Sequence, residues 1–421
     1  MKPFNRSVKN LTSQPHFNMS EVKNIPRLRF TEFSENWTFQ NIKSLSQRIG
    51  DGLHGTPKYV EDTDYFFING NNLEGGTICI NSKIKKVSEI DYEKNNKGLN
   101  EKSLLISLNG TIGNISKYNN EKVMLGKSVG YINFTQQPDF YYFQLKTSKI
   151  QNHFISELTG STIKNLSLKT LRNTKLSILS LPEQQKIADF LTAVDKRIKL
   201  LEKKKTLLET YKKGVMKKIF NQEIRFKDNN GNDFPNWEKN RLEDVFNFFR
   251  GSSLSKSDLD VNGSFKCIHY GELFTKYNEI IKNITSKTNK EGNRSNVGDI
   301  LMPTSDVTPF GLATASCIEE KDVILGGDMN ILRGKLDIDS KFYSYLLNYS
   351  VKSIIKLVTG TTIKHIYSKD LKTLLFNVPK LQEQNKISQF LISIDTQIEL
   401  LETQIDKSKT WKKGLLQKMF V

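Results

Sequence analysis

The chain has 421 residues, enough for two or three domains with separate cores, and its 37% hydrophobic content is ordinary for a soluble protein. No apolar run approaches the ~18 residues of a membrane span, and no apolar stretch follows the basic opening MKPFNRSVKNLTSQPHF, which argues against an ordinary secretory signal. Three distant cysteines, Cys79, Cys267 and Cys317, indicate neither a disulfide framework nor a zinc site and point to a reducing cytoplasm. The 63 Lys+Arg against 45 Asp+Glu leave +18, which points to a polyanionic partner such as nucleic acid, or to a solvated lysine-rich surface.

In chain order, residues 1–24 are polar and patternless and read as a flexible tail, with Met19 a plausible effective start. Residues 25–181 hold a short amphipathic helix led by Trp37 and strand-like runs such as SLLISL (103–108), KVMLG (122–126) and GYINF (130–134). Turns such as NGNNLEGG (69–76) separate them. DFYYFQLKTSKIQNHFISELTG (139–160) reads as one amphipathic helix ending at glycine. Residues 182–220 then read as a long helix. A second globular segment, 221–381, repeats the texture with DNNGNDFPN (228–236), DILMP (299–303), DVILG (322–326), NILR (330–333) and a helix over 341–360, and a second long helix closes the chain at 382–421. Two similar globular segments of mixed α/β or α+β type follow.

The two halves are copies. TGSTIKNL at 159 and TGTTIKHI at 359 open 62 residues that stay in step without a gap, with about 25 identities. PEQQKIADFLTAVDKRIKLLE (182–202) faces QEQNKISQFLISIDTQIELLE (382–402), and YKKGVMKKIF (211–220) faces WKKGLLQKMF (411–420). Upstream, Trp37 matches Trp237, and RLRF (27–30) meets EIRF (223–226) with a small gap. A repeat of about 200 residues is far longer than a solenoid unit. In each long helix an apolar stripe steps alternately four and three. It runs Ile187, Leu191, Val194, Ile198, Leu201 and Leu208 in the first, and Ile387, Leu391, Ile394, Ile398, Leu401 and Ile405 in the second. That is a heptad seam, and pairing the two helices with each other as an antiparallel coiled coil is the economical solution. Lys205, Lys212, Ser408 and Lys412 interrupt the seam and predict a weak distal half. Helices of about 37 residues span roughly 55 Å.

Catalytic motifs are missing. LGKS (125–128) ends like a phosphate loop but has Glu121 where the frame needs glycine, and the glycines of NGTIG (109–113) are not spaced as a dinucleotide fingerprint. The chain has no Pro-Pro pair of the kind an adenine methyltransferase uses, its two nuclease-like ExK triplets, Glu202-Lys203-Lys204 and Glu319-Glu320-Lys321, lack a partnering PD at suitable spacing, and its five histidines show no metal-ligand spacing. No active site and no bound metal are expected in this chain.

Taken together, GDGLHGTPKYVE (50–61), the TGSTIKNL and TGTTIKHI pair and the two long-helix motifs resemble the specificity subunit of type I restriction-modification systems, from about residue 25 to the end. The resemblance implies α+β architecture with two target recognition domains, 25–181 and 221–381, separated by spacer helices 182–220 and 382–421 in a pseudo-twofold repeat. It implies that each domain reads half of a bipartite double-stranded DNA site. It also implies that two adenine-methyltransferase subunits dock on the helices and that ATP-driven translocase/nuclease subunits join through them. S-adenosylmethionine, ATP and Mg then belong to partners, and none to this chain. A modification-only or type IIB-like assembly is an alternative, and a nuclease or methyltransferase with a divergent site is a rival of another class.

For phosphate contact the candidates are Lys58, Lys127, Lys164, Lys256 and Lys364. For base reading they are His54, Thr56, Tyr59, Asn109, Thr162 and Asn165 in the first domain, and Arg250, Ser252, Ser255, Thr304, Asp306, Thr362 and His365 in the second. Small polar and amide side chains offer the donors and acceptors the major groove matches, although each also reads as an ordinary turn or cap residue. GLHGTPKYV (52–60) has no clear counterpart beyond RGSSLSKSDL (250–259), and NGTIG is matched only loosely by TSDVTPFG (304–311). Such differences suit two unlike half-sites. Residues 183–220 carry 11 basic and 5 acidic side chains against 6 and 5 in 383–421, so the first helix either lies nearer phosphate or is simply better solvated.

Overall fold

The computed structural model describes residues 11–13, 24–136, 138–160, 164–335 and 337–421; Thr162, Met19 and most of the N-terminal segment lie outside them. The chain divides into two compact units, residues 1–202 with 403–421, and residues 203–402.

The first unit is built on an antiparallel sheet in the order Ile115–Lys117, Ser103–Ser107, Val129–Phe134, Ser46–Asp51. Its two central strands are buried at every position, which is why they read as unbroken apolar runs rather than alternating ones. A second sheet runs Val123–Leu125, Phe66–Ile68, Lys86–Val87, Tyr59–Val60. Thr38–Asn41 pairs with Lys175–Ile178 and so ties the start of the domain to the chain just before the long helix. The second unit repeats the plan. Phe246–Arg250, Met329–Gly334 and Ile300–Pro303 lie side by side, Ile324–Leu325 runs parallel to Phe265–Ile268, and Glu238–Arg241 pairs with Leu375–Val378.

Local expectations need three corrections. Trp37 leads a strand, and the helix after it is a single turn, Ile42–Leu45. Each predicted amphipathic helix is two helices: Pro138–Leu145 with Ser148–Ser156, and Ser340–Tyr349 with Val351–Ile355. Thr147 makes the first break. Its backbone is extended, its hydroxyl donates to the Gln144 carbonyl, and it accepts the Ile150 N–H as a cap. Phe140 through Leu145 are all buried, so that helix is core on every side and not amphipathic. Finally, Leu11–Ser13, within the segment read as a tail, pairs antiparallel with Leu28–Phe30.

The long helices are Leu181–Phe220 and Leu381–Met419. In the first unit Ile187, Leu191, Val194 and Ile198 share a core with Leu415, Met419 and Phe420, and Phe190 meets Trp411 edge-on. In the second unit Val215, Met216 and Ile219 share a core with Ile387, Leu391 and Ile394, with Leu208 and Ile398 packed at its edge. The early part of each helix thus meets the late part of the other, so the pair is antiparallel. Leu401 and Ile405 are buried and Leu201 is half-buried.

The lysines that interrupt the seam are paired across it. Lys412 pairs with Asp195 and lies over the Phe143 ring; Lys212 pairs with Asp395 at 2.7 Å and lies over Tyr345. Lys205 reaches Glu402 at 2.8 Å. The Tyr345 hydroxyl donates to Asp395, and burial together with that carboxylate pushes the phenol well above its usual range. Lys212 and Lys412 therefore each have a carboxylate on the other helix and an aromatic face beneath, the arrangement by which polar seam positions fix helix register.

Candidate nucleic-acid interface

In the first domain four loops meet on one side of the sheets. Gly52 donates to the Val129 carbonyl at 3.1 Å and Leu53 to the Leu125 carbonyl at 2.7 Å. A Cβ on Gly52 would stand 2.1 Å from the Leu125 oxygen, so only glycine permits this approach. The described ends of the repeated TGSTIKNL phrase are joined to each other. Thr159 and Asn165 exchange backbone hydrogen bonds at 2.9 and 3.0 Å, and Gly160 turns the chain at φ +94. Asn165 bridges onward to Asn109, and Leu166 donates to the Leu108 carbonyl at 2.7 Å.

The result is an open cleft of about 470 Å³ that draws His54, Asn109, Lys127 and Asn165 into one place, with Asp51 and Ser167 beside them. His54 Nε2 lies 2.7 Å from Asp51, which orients the imidazole. The side-chain amides of Asn109 and Asn165 form no hydrogen bond among the described residues, and Lys127 and Lys164 are exposed. Thr56 and Lys58 are exposed on the neighbouring loop, outside the cleft. Tyr59 packs against Phe67 beneath Lys85, so its ring is partly engaged.

The second domain repeats these contacts in shifted register. Gly251 donates to Met329 at 3.2 Å and Ser252 to Leu325 at 2.9 Å, and a Cβ on Gly251 would meet the Gly326 oxygen at 1.8 Å. RGSSL, the stretch the sequence offered in place of a clear match, is therefore the structural counterpart of GLHG, one residue out of the main offset. Ile366 donates to Thr304 at 3.0 Å as Leu166 does to Leu108, so Ser305 stands where Asn109 stands. Ser305 pairs with His365 and Asp306 with Lys364. Thr359 and His365 close the TGTTIKHI loop at 2.8 and 3.0 Å, with Gly360 at φ +99. The buried Asn330 holds the far side of the loop, donating to the Ile366 carbonyl and accepting from Ser368.

Residues 34–210 and 235–408 each match the family described as the type I restriction modification DNA specificity domain. The chain belongs to this family. Among relatives, the type I restriction enzyme MjaVIII specificity subunit of Methanocaldococcus jannaschii is 27% identical over 289 residues, 64% of this chain and 66% of that protein, just under two thirds of its length. The putative MjaX specificity subunit of the same organism is 27% identical over 414 residues, 92% of this chain and 94% of that protein. A type I restriction-modification S subunit from M. genitalium shares the fold with a TM-score of 0.60 at 17% identity, over 94% of this chain and 99% of that one.

Within the second specificity domain several sequence-chosen residues hold the loops instead of facing outward. Ser252 Oγ donates to the Leu325 carbonyl and accepts the Asn293 N–H. The backbone N–H and hydroxyl of Ser255, and then Lys290, bring the Asp258 carboxyl down to about 2. Asp306 accepts from the Val307 N–H and the Thr308 hydroxyl, each at 2.7 Å. Lys364 Nζ folds back onto the Gly360 and Thr361 carbonyls, while Arg250, Lys256 and Thr362 remain exposed. The His365 ring stacks on Tyr367 at 6.1 Å. Composition-based choice passed over Asp51 and Ser167, which line the same cleft, and the exposed Val307 and Phe310. Among the described residues no group of three His, Cys, Asp or Glu is placed to hold a metal, and no helix is long and apolar enough to cross a membrane.

Proposed function

We propose that this chain is the DNA-recognition subunit of a type I restriction-modification complex and carries no active site of its own. Each specificity domain, approximately 25–181 and 221–381, reads one half of a bipartite site. The helix pair sets the spacing and docks two adenine-methyltransferase subunits, through which ATP-driven translocase/nuclease subunits join. S-adenosylmethionine, ATP and Mg act on those partners. One observation carries the reading: the same glycine-braced loop cluster is built twice, with different side chains at the corresponding positions. Asn109, Asn165 and His54 stand in the first, and Ser305, His365 and Ser253 in the second. A shared scaffold with unlike tips is what two unlike half-sites require.

Phosphate contacts position a protein, and base-edge contacts specify sequence. Lys164→Ala in the assembled methyltransferase is expected to weaken binding to all sequences and to reduce the slope of log K against log salt by about one. An unchanged slope removes Lys164 from the phosphate set. Asn165→Ala is expected to leave that slope alone and lose discrimination at one base pair, by about 1–3 kcal/mol. The readout is competition binding against single-base variants of the site, and uniform loss across all variants contradicts the assignment.

A further inference from the structure

The loop Thr304–Gly311 of the second domain presents apolar side chains where its counterpart does not. Val307 is 73% exposed and Phe310 is 72% exposed. Isolated exposed apolar residues need no explanation, but these two are held out by construction. Asp306, beside them, turns inward to accept the Val307 N–H and the Thr308 hydroxyl. Gly311 lies so close that a Cβ there would meet the Asp306 carboxylate at 2.0 Å and the Phe274 ring at 2.9 Å. The next two residues, Leu312 and Ala313, are buried and anchor the loop in the core. The loop is therefore braced at its base with its apolar tip outward. Asp306 is paired with Lys364, so Val307 and the 53%-exposed Ile363 are the next residues out along the two strands. In the first domain the corresponding stretch after Asn109 has Gly110 and Thr111 at its exposed tip, and its Ile112 packs against the core.

On the DNA-recognition reading above, on which this inference rests, an apolar tip inside a polar, cationic loop cluster has a defined counterpart. The thymine C5-methyl is the one apolar group that a base pair presents in the major groove. We infer that the second domain reads at least one A·T pair of its half-site by packing Val307 and Phe310 against thymine methyl groups, whereas the first domain relies on amide and imidazole hydrogen bonding. Two apolar side chains three residues apart on a braced loop form a surface for methyls; a single wedge between base steps is the alternative way for such residues to engage DNA.

Replacing thymine by deoxyuridine deletes the methyl and leaves the hydrogen-bonding edge intact, so the substitution isolates this contact. The full chain with its methyltransferase subunits is titrated with duplexes carrying deoxyuridine in one half-site at a time. Uracil in the half-site assigned to the second domain is expected to weaken wild-type binding about fourfold per contacted methyl, the equivalent of ~0.8 kcal/mol. Phe310→Ser and Val307→Ser are expected to bind the thymine site more weakly and to respond less to uracil. Because both residues are exposed, their melting temperatures should match wild type, and the wild-type arm needs no variant. A wild-type complex indifferent to uracil, variants that lose affinity to uracil as wild type does, or a half-site without an A·T pair each overturns the inference. Failure to prefer any bipartite site would instead overturn the recognition reading itself.

Discussion

Arg29→Ala is expected to destabilise the first unit by about 3–5 kcal/mol. Its guanidinium makes a bidentate contact with Glu183 at 2.6 and 2.8 Å, and the two side chains are 7% and 1% exposed. Removing one partner of such a pair strands a buried charge, which costs far more than the pair contributes. Arg29 also lies 5.9 Å from the centre of the Trp37 ring, and together these contacts tie the start of the domain to the first turn of the long helix. The second unit holds the same pair, Arg225 with Glu383, but Arg225 is 23% exposed and Trp237 Nε1 also donates to Glu383 at 3.1 Å. Arg225→Ala should therefore cost clearly less than Arg29→Ala. Denaturant unfolding followed by tryptophan fluorescence reads both. Equal costs would contradict the burial argument, as would failure of an apolar pair such as Arg29→Met with Glu183→Leu to recover most of the loss.

Exchanging residues 25–181 for the equivalent domain of a relative is expected to replace one half-site completely and leave the other untouched. Specific binding typically exceeds nonspecific binding by factors of 10³–10⁷, so loss of one reader should abolish selection at that half. The contacts that shape each loop cluster lie within its own unit, from Gly52 to Leu166 in one and Gly251 to Ile366 in the other. Methylation mapping before and after the exchange provides the comparison, and a change in both halves would refute the division of labour.

Much of this architecture was legible from residue order because duplication prints it twice. The seam positions from Ile187 to Ile198 and from Ile387 to Ile394 sit at the helix contacts, since a heptad pattern over several turns has few other uses. The repeated Thr-Gly phrase marked a loop because Gly160 and Gly360 take left-handed backbone that other residues resist. What escaped was of another kind. The break at Thr147 depends on one hydroxyl competing for backbone groups, which periodicity does not register. Lys212 and Lys412 looked like defects because their carboxylate partners lie on the other helix, remote in sequence. Small offsets hid the match of Gly52 with Gly251 and of Asn109 with Ser305, since ungapped comparison slides past them. In the candidate site, residue type alone did not separate inward braces such as Asp306 and Ser252 from candidates such as Asn165, whose amide makes no hydrogen bond among the described residues, because both favour short polar side chains.

The most direct measurement is the map of methylated adenines in cells expressing this chain with its modification subunits. Two short half-sites separated by a fixed run of unread bases are expected, one changing with each specificity domain. A single continuous recognition word, or methylation that survives deletion of the chain, would contradict the account.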